Sequence, residues 1–380
     1  SGADVALTAT LIGIPICTAP RHSRGVHGAH VRRNEAATAA LKSDRKAVSE
    51  IIGVVMLLAM LITVMSGVVV LIAPYLSDFE DQRDWATTFI VSEQIADRIE
   101  VIGAAPDGTG SKTSLDMSGI RMLMAENIED WSLQADLTDE ERVQMTVSNS
   151  QVEIECQNAT CSTLRLTEED GSVAVWTMTN SNQQQTFNLS DSLSDVAIFE
   201  AIDAEGVVLH RMVKLSISGI ELNTEMNTGR LQLAMINGAT IERRPGIPWS
   251  IKEFPTIEFD ELPDGTPRLS MIITDLIAGE ALPDGGSPVM ELKSHGANEL
   301  FDGQVWNFRF TMSNLLHDII DPQYTHHWTK GYEIHVATDS IEDYDGIAPY
   351  QRQSGADGLT VLPSDHFILE VGLQQVEVSR

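Results

Sequence analysis

Cys156 and Cys161, at the two ends of the segment CQNATC, are the residues whose spacing speaks first for covalent chemistry. Thiols five positions apart close a small disulfide loop if the chain turns between them, and such a loop belongs outside the cytoplasm. A two-cysteine metal site is the weaker alternative, because no His or further Cys stands nearby. The same loop holds Asn158-Ala159-Thr160, an N-glycosylation sequon, and Asn188-Leu189-Ser190 is a second. Both count only if this part of the chain is exported.

Other chemistry is sparse. In THHWTKGYEIH, His326 and His327 are adjacent and point to opposite faces of a strand, so only one of them joins His335. No metal site is read here; His327 and His335, followed by Asp339, are the nearest approach to one, against the plainer reading of surface histidines. DSIEDYDG, residues 339–346, has Ile341 where an EF-hand loop needs its first ligand, so it reads as an acidic turn. The run Glu168-Glu169-Asp170 is ordinary in so acidic a chain and nominates no catalytic dyad. P-loop, GxGxxG, GxSxG and HExxH patterns are absent from the sequence, so no cofactor and no enzymatic activity are expected.

The element that must organise the rest is a membrane segment. Ile51 to Leu76 is a run of 26 residues without a charge, dominated by Leu, Ile, Val and Met. As a helix it is about 39 Å long, more than the ~30 Å hydrocarbon core of a bilayer. Lys42, Arg45 and Lys46 flank one end, and Asp78, Glu80, Asp81 and Asp84 flank the other. The positive-inside rule then leaves the N-terminal leader in the cytoplasm and puts the remaining 300 or so residues outside. Pro74 is expected to bend or end the helix near the outer interface. A secretory signal fits poorly, since the small residue, Ala47, precedes the apolar run instead of following it.

RKAVSEIIGVVMLL resembles the N-terminus of archaeal type IV pilins and pilin-like proteins, which carry a class III signal peptide. The resemblance is specific over residues 44–76. It implies cleavage by a prepilin peptidase at Arg45-Lys46-Ala47, with Val48 as the first mature residue, and Val48, Ser49, Ile52 and Gly53 match the opening of the mature helix. Two departures stand out. The leader is longer than the family's, and the first Met is Met56, so residues 1 to about 40 are expected to reflect an incomplete or misplaced gene start; nothing is built on Cys17. Bacterial pilins also place their carboxylate at the fifth mature position, whereas Glu50 is the third here.

Cleavage creates an α-amine at Val48 within about one helical turn of Glu50. An acid near a helix N-terminus gains about 0.3–1 kcal/mol from the helix dipole. Glu50 can then pair with the amine of its own or a neighbouring subunit inside an apolar bundle, or remain an interfacial acid without a partner. Gly53 and Gly67 let helices approach closely.

Beyond the membrane, Trp85, Phe89, Ile95, Ile99 and Ile102 recur at helical spacing until GAAPDGTG, residues 103–110, stops the helix. The expected domains are a leader over 1–47, a helix with an amphipathic stalk over 48–103, and a β-rich head over 104–380. The Pro-rich segment 243–255 is a candidate division within that head. Val143, Met145 and Val147 face Val152, Ile154 and Cys156 in a hairpin pattern. Val213, Leu215 and Ile217 alternate with polar residues, and Leu231, Leu233 and Met235 run into an Asn237-Gly238 turn. Phe367, Leu369, Val371 and Leu373 alternate too, and the change of phase to Val376 and Val378 predicts a bulge. SNLLHDII, residues 313–320, is a short helical candidate. The fold class is α+β: a long N-terminal transmembrane helix followed by a mainly β, sandwich-like extracytoplasmic head.

Charge narrows the partners. The formal net charge is -30, yet residues 1–47 hold seven Lys/Arg against three Asp/Glu, leaving 18 basic and 52 acidic residues in the rest. Such an acidic head excludes nucleic acid as a partner. The expected partners are the lipid bilayer, a prepilin peptidase and other pilin-like subunits. The function read here is a filament subunit of the cell surface, minor or tip rather than major given its large head, engaged in adhesion or surface contact. A single-pass anchored binding module that never polymerises is the alternative.

Overall fold

The computed structural model describes residues 33–138, 142–148, 150–157, 160–179, 184–189, 193–314, 351–352, 357–361 and 366–380. One long helix, α1 (Arg33–Gly103), precedes a mostly β domain. The chain forms two compact units, Ser1–Ala73 and Pro74–Arg380. In the first, every residue from Ser49 to Ala73 is exposed.

Within α1 the helical backbone continues through Pro74 rather than ending there. A proline removes one backbone hydrogen bond, and that loss does not end the helix here. Asp81, Thr88, Val91, Ser92, Ile95, Ile99 and Ile102 are buried, most of them at intervals of three, four or seven, which is one face of a helix. The helix stops at Gly103 as the GAAPDGTG segment predicts. A Cβ at Gly103 would run into the side-chain amide of Gln374, so glycine allows the helix end its close approach to that residue.

Nineteen strands follow among the described residues. The first group comprises β1 (Gly110–Ser114), β2 (Ile120–Asp136), β3 (Arg142–Ser148), β4 (Gln151–Gln157), β5 (Thr163–Glu168), β6 (Val173–Thr177), β7 (Gln185–Asn188) and β8 (Val196–Ile202). Next come β9 (Val208–Met226), β10 (Gly229–Ile236), β11 (Ala239–Arg243), β12 (Ser250–Glu253), β13 (Ile257–Glu261) and β14 (Pro267–Ala278). The last are β15 (Val289–Val305), β16 (Asn307–Asn314), β17 (Gln351–Arg352), β18 (Asp357–Val361) and β19 (Phe367–Ser379). They form a five-stranded sheet in the order β1-β15-β19-β14-β13, an 11-stranded sheet built on β12-β11-β10-β9-β2-β16-β18-β17, and a three-stranded sheet β3-β4-β7. Segment 243–255 carries β12, at the end of the large sheet, and leads to β13, at the edge of the five-stranded one.

The expected hairpins form. Val143, Met145 and Val147 stand opposite Cys156, Ile154 and Val152. Asn237 and Gly238, both at positive φ, turn β10 into β11. The largest core takes Trp131, Leu133, Val213, Leu215, Phe308 and Phe310 from the large sheet, and Met271, Ile273, Leu369 and Val371 from the five-stranded one. A second core joins Val91, Ile95, Ile99 and Ile102 of α1 to Met235, Leu276, Val376 and Val378.

Two further expectations change. The phase shift along β19 is not a bulge of that strand, whose register with β14 is unbroken from Ile368 to Val378. The extra residues lie in β15, at Ser294/Ala297 and Glu299/Phe301. β19 changes phase because Leu373 belongs to the first core and Val376 to the second. Of the helical candidate 313–320, Ser313 and Asn314 end β16, and the remainder lies outside the described residues.

Candidate functional site

Residues Ser49–Gly103 form the one helix among those described that is long and apolar enough to cross a membrane. Arg45, Lys46, Ala47 and Val48 share its helical backbone with Glu50 and Gly53, both of which are exposed. A Cβ built at Gly53 or Gly67 meets nothing within 4 Å, so this segment offers neighbours a smooth approach.

Further along, polar groups tie α1 to the β domain. Asp81 accepts hydrogen bonds from the Asn227 and Thr228 backbone N–H groups, at 2.7 and 3.1 Å, and from the Thr228 hydroxyl at 2.7 Å. Burial pushes the Asp81 carboxyl up, but these bonds outweigh it and hold the group below the usual carboxylate range. Trp85 Nε1 donates to Glu242 Oε2 at 2.5 Å, while Arg244 lies 4.3 Å over the Trp85 ring and also pairs with Glu242. Lys252 approaches the same carboxylate at 3.3 Å. Burial alone would raise Glu242; the bonds from Arg244 and Trp85 and the two nearby cations leave it lowered.

Cys156 and Cys161 are joined as a disulfide with Cα atoms 6.3 Å apart. The bond links the end of β4, in the three-stranded sheet, to the residues just before β5 in the large one. Replacing both by Ser is expected to cost about 2 kcal/mol by the chain-entropy account of so short a loop. Urea unfolding of the full chain, with and without reductant, checks this. Asn188, at the end of β7, is exposed and accepts a hydrogen bond from Gln151. Asn158 lies outside the described residues, as do His326, His327, His335 and segment 339–346.

Sequence reasoning did not find two further features. The first is an acidic group around Asp275, whose Oδ1 accepts the Ser218 backbone N–H at 2.9 Å. Gln375 Nε2 lies 3.0 Å from Glu169 and 3.5 Å from Asp275. Burial, reinforced by the charges of Asp195 and Glu169, pushes Asp275 up to about 6. Asp195 is raised as well, by burial and then by Glu169 and Asp130. In sequence these acids are scattered from Asp130 to Asp275 among the 52 that follow the leader, and nothing singles them out.

The second is a cleft of about 400 Å³ between the last turns of α1 and the β10–β11 turn, β14 and Gln374. Ile99, Met235, Ile272 and Leu276 give it apolar walls, and Asp97, Glu100 and Glu253 give it carboxylates. Among the described residues its lining includes no Lys, Arg or His. Asn237, only 2% exposed, accepts the Thr274 backbone N–H at 2.9 Å through Oδ1, and its Nδ2 donor has no hydrogen-bond partner among the described residues. The sequence marks Asn237 as a turn residue, but not as the bearer of a buried amide.

Comparison with family models, with curated proteins and with solved structures finds no match to this chain.

Proposed function

We propose that this chain is a type IV pilin-like subunit of an archaeal surface filament, minor or tip in kind, processed by a prepilin peptidase between Ala47 and Val48. One observation carries the reading: a charge-free run from Ile51 to Leu76, exposed throughout, begins beside an acid, Glu50, three residues after Arg45-Lys46-Ala47. An ordinary anchor requires neither the basic-plus-small site nor the acid. On this reading the helix lies in the bilayer before assembly and in the filament core afterwards. Its leader is cytoplasmic, its head is extracellular and serves adhesion or surface contact, and its role is structural rather than enzymatic. We read the two sheets that share the largest core as a β-sandwich head.

N-terminal sequencing of the protein from its native membrane tests this. The expected mature chain begins at Val48, and an Ala47→Trp variant is expected to stay uncut. An uncut native chain would sink the processing and leave Glu50 without its amine. A second reading, an anchored binding module that does not polymerise, is favoured by the acidic cleft, since a mere spacer has no use for one.

A further inference from the structure

The cleft beside the end of α1 combines three properties that select a ligand. Its charge has one sign, with Asp97, Glu100 and Glu253 in the lining and no cation among the described residues there to balance them. Its walls are apolar at Ile99, Ile272 and Leu276. It also borders a stretch of strand edge that pairs with no described strand. β13 pairs with β14 only as far as Met271, whereas β19 on the other side stays paired to Ala278. The outer edge of β14 from Ile272 onward thus faces no strand among the described residues. The Thr274 N–H on this edge is taken by Asn237 Oδ1, and with a period of two Ile272 and Leu276 present their backbone groups the same way. Beside them stands the Asn237 Nδ2 donor, which lacks an acceptor among the described residues.

We propose that this cleft docks a short extended peptide segment in which Lys or Arg alternates with apolar residues. One of its carbonyls would accept from Asn237 Nδ2, its backbone would lie against the Ile272 end of the β14 edge, which Asn237 leaves open, and its cations would reach the carboxylates. A small organic cation would satisfy the charge but leave the strand edge unused, and an acidic or neutral partner would leave the carboxylates unpaired. The site goes beyond the filament reading and is independent of whether the subunit polymerises.

The test is fluorescence polarisation of the full chain in detergent with labelled acetyl-Lys-Ile-Lys-Ile-Lys-amide. Saturable binding is expected, weakened by added salt. The charge-reversed peptide acetyl-Glu-Ile-Glu-Ile-Glu-amide is expected not to bind. Asp97→Asn with Glu100→Gln should weaken binding about fivefold, as two exposed charge contacts would. Ile272→Trp, which fills the cleft from an exposed position, should abolish it while leaving the melting transition in place. Absence of binding, equal binding of the reversed peptide, full competition by spermidine at equal concentration, or an unaffected Ile272→Trp variant would each overturn the proposal. None of these outcomes depends on processing at Ala47.

Discussion

At pH 7 the Asp275→Asn variant is expected to be more stable than the native chain by up to about 3 kcal/mol, and near pH 3 the two should coincide. The sign follows from the direction of the shift. The Asp275 carboxyl titrates at about 6 in the folded chain and near 3.8 unfolded. Between those values the native state holds a proton that the unfolded state has released. Stability is therefore highest below the unfolded value, falls as pH rises through the window, and stays reduced above it. Asparagine retains an oxygen for the Ser218 N–H and carries no charge to bury. Glu242 and Asp81, both lowered, act in the opposite direction, so the quantity to measure is the difference between variant and native chain in urea unfolding at several pH values. A difference that does not vary with pH would show that Asp275 is not the group responsible.

Ile95→Ala is expected to cost about 2–5 kcal/mol, whereas Ile90→Ala, earlier on the same helix, should cost almost nothing. Ile95 is fully buried in the core that α1 shares with β10, β14 and β19, and Ile90 is 52% exposed. Deleting the buried carbons of Ile95 leaves a void that a closely packed interior cannot close for free. Thermal unfolding followed by tryptophan fluorescence has a reporter in place, because Trp85 is bonded to Glu242 across the same contact. Equal effects of the two substitutions would mean that the helix is not held by this face.

Ile95 was legible in the sequence because helical spacing alone separates it from Ile90. The same holds for the Ile51–Leu76 run and for the Asn237-Gly238 hairpin, where a short stretch contains the whole physical cause. Pro74 shows the limit of a local rule: of the bend or end expected there, the end does not occur, and the helix runs on through the missing hydrogen bond. The bulges of β15 leave no mark in its own pattern, while the change of phase along β19 reflects two cores on opposite faces and not an extra residue. The Asp275 group and the cleft are harder still. Each draws on segments far apart in the chain, and Gln375 and Gln374 reach them only because β19 lies beside β14.

That placement of β19 has a consequence for how the chain is made. In the five-stranded sheet it is the middle strand, paired with β14 in parallel and β15 in antiparallel, yet it is formed by residues 367–379. During synthesis β14 is complete at Ala278 and β15 at Val305, well before Phe367 opens the strand that must come between them. Ribosomes add about 5–20 residues per second, so the head spends several seconds with two apolar strands that have no completed sheet to join. A chain whose apolar helix leaves the ribosome first can be delivered to its destination during that delay, before the head closes.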